Sequence, residues 1–413
     1  MTRITALCEY AVYYCLIIIP FALAIAPAPV NVFMGFLIAA FLAKKMIAKK
    51  PLARKGPVTI PLLLFFLATC LSLVNSVDHY DSIKGGVLRL LQYILVFFAC
   101  AEHVRDARHA RRIFYSMALG ISLASVNAFW QVVTGSDFIR GYAPVVNLGL
   151  VRATASFKDA NLLGIYLSAF LPLLLGLALY HAKGKQRLIF AAASILGLAG
   201  VFLTYSRPTY LALYVSVFLL AAIRRSKVIL VLLLLAALAL PILAPQSIKD
   251  WARQMEYNPL RMMCNDDRIA VYRNSLNMIR AHPVAGVGAN TFMENYRHYK
   301  ENPEYRNIVT IDYMYAHNNF LHMAAEVGLI GFGLFIWFLI ALFRKALRTL
   351  KTLKDAQARM LLLGGVACLV AFLVNGLTES SLFYSRVAVI FWYLAGITLA
   401  AANFGGAKLA ENQ

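Results

Sequence analysis

Ala316-His317-Asn318-Asn319-Phe320-Leu321 is where the longest polar stretch of this chain, from about Ala244 to Tyr315, gives way to another apolar span. Working outward in both directions, twelve apolar stretches flank that polar segment: 7–27, 29–48, 58–76, 83–101, 111–133, 159–181, 187–205, 208–223 and 227–244 before it, and 318–343, 359–377 and 386–403 after it. A membrane helix needs about 20 mostly apolar residues. With 413 residues, 61% hydrophobic and 14% charged, the chain is no soluble globular protein. It is expected to be an all-α polytopic membrane protein with about 12 transmembrane helices and one large helical loop. The expected division is 1–244 (nine spans), 245–317 (loop) and 318–413 (three spans). Span 7–27 has no small-residue cleavage site and runs into the next span, so it reads as a retained helix. Span 83–101 carries Arg89 and Gln92, and 208–223 is short.

The formal charge of +21 reads as a topology signal. With a cytoplasmic N-terminus, 24 of the 40 lysines and arginines fall inside, as the positive-inside rule requires. Both termini then lie inside and the long loop outside. That loop holds nine basic and eight acidic residues, so nothing suggests a nucleic-acid partner. Cys8, Cys15, Cys70, Cys100 and Cys368 sit in spans and Cys264 in the loop, which implies neither a disulfide framework nor a zinc site.

Within the loop, Ile269, Tyr272, Leu276 and Ile279 recur at helical spacing over 268–281, and His282-Pro283 ends that helix. Its apolar face either lies on the membrane or packs the loop's own small core. Gly286-Val287-Gly288 reads as a turn. Thr291 with Glu294 reads as a capping box for a second helix, 292–300.

Outside-facing cations beside the membrane are Arg140, Arg152, Lys158, Arg207, Arg268, Arg273 and Arg386. Arginines in short outside loops run against the positive-inside rule. Arg207 stands out, in the tight turn Tyr205-Ser206-Arg207-Pro208. Guanidinium groups converging there suit a phosphate or pyrophosphate, which they bind bidentately. The plainer alternative is snorkelling to headgroups or pairing with a carboxylate. His317 is the candidate base: beside arginines its pKa is expected to fall, and a neutral imidazole can take a proton from a sugar hydroxyl. Asn318 is a candidate for orienting it. His322 reads as a helix-end histidine bonded to backbone. Tyr272 and Tyr313 are candidates for stacking on sugars or for packing. The first outside loop, Ala26-Pro27-Ala28-Pro29, has no carboxylate, and Asp266-Asp267 reads as a surface pair, so no metal is expected.

Together these pieces resemble the O-antigen ligase/polymerase family of bacterial inner-membrane proteins. The resemblance rests on Arg152-Ala153-Thr154-Ala155-Ser156-Phe157-Lys158-Asp159-Ala160-Asn161, on Ser206-Arg207, on Arg268 with Ile279, Pro283 and Gly286-Val287-Gly288, and on His317 to Leu321. It runs from about Arg152 to Gly331, and Pro208 stands where many relatives carry Gly. It implies a GT-C-like helical fold and an inverting, metal-independent glycosyltransferase without cofactors. The donor it implies is an undecaprenyl-pyrophosphate-linked O-antigen, and the acceptor is a sugar hydroxyl of lipid A-core. One large outside loop in the second half fits a ligase among the members. On this resemblance Arg152, Arg207 and Arg268, with Arg140 and Lys158 behind them, hold the pyrophosphate and stabilise its charge as it leaves, which makes Arg207 a catalytic residue beside His317, and His317 takes the acceptor proton or orients the donor. Two alternatives stay open. One is an O-antigen polymerase or protein O-oligosaccharyltransferase, since acceptor choice lives in pocket shape. The other is a transporter or flippase for lipid-linked sugars or small anions. Such a carrier should show repeat symmetry and broken mid-membrane helices; here the halves are unlike.

Overall fold

The structure is a computed structural model that describes residues 3–53, 56–104, 107–258, 262, 266–300 and 314–410. Every apolar stretch becomes a helix. In chain order these are α1 (Arg3–Ile25), α2 (Pro27–Ile47), α3 (Thr59–Leu71), α4 (His79–His103), α5 (Ala107–Thr134), α6 (Ala160–Tyr180), α7 (Gly184–Leu203), α8 (Arg207–Arg224) and α9 (Lys227–Leu243). After the loop helices α10 (Gln246–Gln254), α11 (Asp266–Ala281) and α12 (Phe292–Tyr296) come α13 (Asn319–Thr352), α14 (Ala356–Asn375) and α15 (Ser385–Ala410). Ten of these are long and apolar enough to cross a membrane, and α3 and α9 are shorter apolar helices. The chain is thus an all-α, multi-pass membrane protein.

Two helices carry the centre. The side chains of α6 and the described ones of α15 are almost all buried, as an apolar helix surrounded by others must be. α6 packs on α14 and α7, α15 on α4 and α14, and α13 on α3. By contrast, α7 and α9 turn Leu188, Ile195, Phe202, Val228, Leu235 and Leu238 outward. Such a continuous apolar exterior suits lipid rather than water.

The connection after α5 folds into an antiparallel hairpin of β1 (Val145–Asn147) and β2 (Leu150–Arg152). Its two turn residues, Leu148 and Gly149, both have positive φ, 53° and 71°, as a tight two-residue hairpin needs. Buried Gln131 holds the next stretch, accepting from Thr154 and Ala155 N–H at 2.7 and 2.8 Å.

α13 is broken. Gly328 has φ 70° and ψ 177°, and the segment Pro283–Gly288 seats in the break. Val287 N–H donates to Ala325 O (2.9 Å), Gly288 N–H to Glu326 O (3.1 Å), and Leu329 N–H to Pro283 O (2.7 Å). A Cβ at Gly328 would come within 2.2 Å of Val284 O, so backbone touches backbone only because no side chain stands there.

The loop helices differ in detail from the expected pattern. α11 buries Val271, Asn274, Ser275, Met278 and Ile279 against Val287, Phe292, Tyr296 and Ala325, whereas Leu276 is exposed. Its buried face therefore builds the loop's own core and docks on α13. The second helix is a short α12 with a 3-10 turn over Arg297–Tyr299. Thr291 does not cap it; its hydroxyl donates back to Val287 O and Gly288 O. Glu326, from α13, accepts Phe292 N–H instead (3.2 Å).

Candidate functional site

The short turn between α14 and α15 brings in Glu379, an acid that sequence reasoning passed over. Its carboxylate accepts from Arg268 Nη2 on α11 (2.6 Å) and from Asn161 Nδ2 on α6 (2.9 Å). Its second oxygen faces His317 Nδ1 at 3.4 Å. The Glu379 side chain is 5% exposed, Arg268 16% and His317 26%. A buried carboxylate is costly unless paired and hydrogen-bonded; here donors from three elements surround it. Asp159 starts α6 by accepting Asn161 N–H (2.6 Å), and that N-cap fixes the Asn161 side chain toward Glu379.

Arg152 joins one step out. Its Nη2 donates to Asn161 Oδ1 (2.8 Å) and its Nε to Thr204 O (2.9 Å). Burial lowers its pKa first, against the raising effect of Asp159 and Glu379, with Arg268 close enough to lower it further. The two ends of the Arg152–Asn161 stretch thus meet in space.

His317 has φ 48°, a left-handed conformation that costs a non-glycine residue roughly 1–2 kcal/mol. Tyr272 holds it there, its hydroxyl donating to His317 O (3.1 Å). This tyrosine supports the histidine backbone from α11. Among the described residues His317 Nε2 has no hydrogen-bond partner, and the nearest ionic partner of the ring is Glu379 rather than an arginine. Asn318 caps α13, accepting Phe320 and Leu321 N–H at 2.9 and 3.0 Å, and donates to Leu377 O. Its side chain is engaged by backbone, and Glu379 is the group on the imidazole. Tyr205, before Ser206-Arg207, and Ala155 are also left-handed, at φ 47° and 46°; non-glycine strain of this kind gathers at functional sites.

The other expected anion-binding residues lie elsewhere. Arg207 is exposed at the start of α8, stacks on Trp251 at 4.3 Å and donates to Met262 O. Arg140 is exposed and stacks on Tyr142 at 4.8 Å, and Lys158 is exposed. Arg386 is structural: buried, it donates to Leu23 O, Ser156 O and Ser156 Oγ at 2.6–2.9 Å, with its guanidinium 3.6 Å from the Phe157 ring centre. Tyr313 lies outside the described residues, as do the side chains of Asp266 and Asp267.

His322 is no ordinary helix-end histidine. Fully buried, it stacks on Phe383 at 3.5 Å and contacts Ser380 Oγ (3.1 Å) and Glu326 Oε1 (3.2 Å). Asn319 ties the same turn, donating to Ser381 Oγ and accepting Leu382 N–H. Tyr384 borders the group; burial, then the charges of Glu379, Tyr315 and Asp159, pushes its phenol up, so it stays a neutral donor. The signal for Glu379 was faint: one acid in a short turn between apolar spans. Among the described residues, one other acidic group brings its oxygens within 4.8 Å of one another, Asp78, Asp81 and Glu294; it shares no residue with the Glu379 cluster.

Chemically, the cluster offers cations for an oxyanion, a carboxylate-backed imidazole with a free nitrogen, and a neutral phenol. No curated protein matches the chain. Residues 192–336 match a family model described as O-antigen ligase, a span that includes Arg207, Arg268, the Gly328 break and His317. Over this segment, about a third of its length, the chain is similar to the O-antigen ligase family.

Proposed function

We propose that the chain is an O-antigen ligase. It moves O-antigen glycan from undecaprenyl pyrophosphate to a sugar hydroxyl of lipid A-core, in the bacterial inner membrane, with both termini cytoplasmic and the Glu379 cluster facing the periplasm in a GT-C-like fold. The observation that carries this reading is the meeting of His317, Arg268 and, through Asn161, Arg152 on Glu379.

Glu379 at Nδ1 favours the tautomer with its proton there, leaving the Nε2 lone pair for the acceptor. The 3.4 Å contact is of the loose kind that tightens on binding. The acceptor oxygen attacks the anomeric carbon, its proton passes to His317 Nε2, and the bond from that carbon to the pyrophosphate oxygen breaks on the opposite face, inverting the centre. Arg268 and Arg152 stabilise the departing pyrophosphate, with Arg207, outside the cluster, as a further phosphate contact. Arg140 and Lys158 are outer phosphate contacts. Charge stabilisation by these side chains lets transfer run without a metal. The break in α13 does not favour a transporter, because protein backbone fills it.

The test is transfer by purified protein from undecaprenyl-pyrophosphate glycan to rough lipopolysaccharide in excess EDTA. Wild type should transfer, while His317→Ala and Arg268→Ala should each lose about 100-fold or more. Intact donor with no transfer to lipid A-core would sink the ligase reading. Full activity in the His317 variant would end its role as base.

A further inference from the structure

At the loop end of α4, Ser82–Val87 winds as a π-helix, a wide turn often found at functional sites. Gly85 and Gly86 lie against Asn290 and Ala289; a Cβ on Gly86 would come within 2.6 Å of the Ala289 methyl. Beside this contact is a cavity of about 170 Å³. Arg89, Asn290, Glu326 and Ser385 give it a polar side, and Phe383 and Trp392 an apolar wall.

Its charges are unequal. Glu326 is engaged by His322 Nε2 and by Phe292 N–H. Arg89 makes no hydrogen bond or ion pair among the described residues, although α4 is long and apolar enough to span a bilayer. It lies thirteen positions from Glu102, about 20 Å along the helix, and Glu102 pairs with Lys45 at the far end. A cation kept at such depth and facing a cavity calls for an anion. A guanidinium takes phosphate bidentately. The cavity is smaller than a pocket for a drug-sized molecule, so it fits a headgroup with its chains outside. Leu88 and Leu91 on the same helix are exposed to receive chains.

We propose that this cavity binds the phosphate headgroup of a membrane lipid, with Arg89 as the pairing cation, at a site separate from the Glu379 cluster. The two sites border one short stretch: Glu379 stands near its start, and Phe383 and Ser385 line the cavity at its end. His322 bridges Ser380 and Glu326 between them. If the proposed function holds, on which only the lipid's identity rests, the lipid is the acceptor. Its phosphate is then anchored at Arg89 while its sugar hydroxyl reaches His317.

The experiment measures binding to the purified full-length chain by native mass spectrometry. The probes are lipid A with its phosphates, the same lipid after phosphatase treatment, and phosphatidylglycerol. Wild type should bind phosphorylated lipid at least tenfold more tightly than dephosphorylated lipid. Arg89→Gln, at an unchanged melting temperature, should lose that preference, and Arg89→Lys should keep most of it. Preference for lipid A over phosphatidylglycerol supports the site and marks the acceptor; equal binding of the two supports it and marks a bulk phospholipid headgroup. Unaltered binding in Arg89→Gln overturns the proposal. If that variant does not fold, wild-type binding indifferent to the phosphates overturns it. Arg89-dependent binding without glycan transfer would count against the ligase reading alone.

Discussion

Glu379 does two jobs at once, compensating Arg268 and holding the His317 ring. Glu379→Gln keeps the shape and removes the charge, so both jobs fail together. Transfer should fall at least about 100-fold, in line with losing an oriented general base, while the protein still elutes as a folded species. Wild-type turnover in that variant would remove Glu379 from the mechanism. The arginines and His317 were legible in the sequence because charge beside apolar spans is conspicuous. Glu379 was not, since Leu377-Thr378-Glu379-Ser380 looks like any short polar turn. Its weight comes from α6, α11 and the start of α13 closing around it, which is a tertiary event. Arg386 shows the converse: conspicuous by the same rule, yet fully satisfied by carbonyls and a hydroxyl.

At the scale of elements, helix positions followed from hydropathy and faces did not. The exposed Leu276 and the buried Asn274 and Ser275 of α11 were set by what lies across from them, α12 and α13. The Gly-Val-Gly turn was readable; its seat in a break of α13 was not, because Gly328 in an apolar run looks like any helical glycine. Gly328→Ala would place a side chain on φ 70° and against Val284 O. It should cost about 2 kcal/mol or more, read as a lowered melting temperature in detergent; an unchanged melt would mean the break is not strained by a Cβ. The Asp78–Asp81–Glu294 group gives a pH signature. Desolvation, then the charges of Asp78, Asp81 and Glu326, raises the Glu294 pKa. A raised carboxyl pKa contributes stability below the unfolded value, near pH 4.5, and that stability is lost as pH rises through the folded value. Wild-type melting temperature should therefore fall as pH rises through that window, and Glu294→Gln should flatten the fall.

Across the whole molecule, Arg386 joins the end of α1, the stretch after the hairpin and the start of α15. Arg386→Lys keeps charge but loses the fork, leaving buried Leu23 and Ser156 oxygens short of donors. A loss of about 2–4 kcal/mol is expected, seen as a lower melting temperature and yield; a wild-type melt would show that charge alone suffices there. The far ends of the bundle are stitched differently, by Lys45–Glu102 at 2.7 Å and Lys44–Glu9 at 2.8 Å.

The seating of Pro283–Gly288 in the bend of α13 also constrains how the protein is made. The bend interrupts the helical ladder, and the loop's strap meets Ala325 O, Glu326 O and Leu329 N–H. In hydrocarbon an unmet backbone group costs several kcal/mol. The bent form of α13 therefore settles only once the strap has arrived, and the ribosome delivers the strap about 40 residues earlier. Settling of this bent span is a late step, conditional on the strap having already folded against it, so a misplaced strap would leave the last three helices without a finished partner.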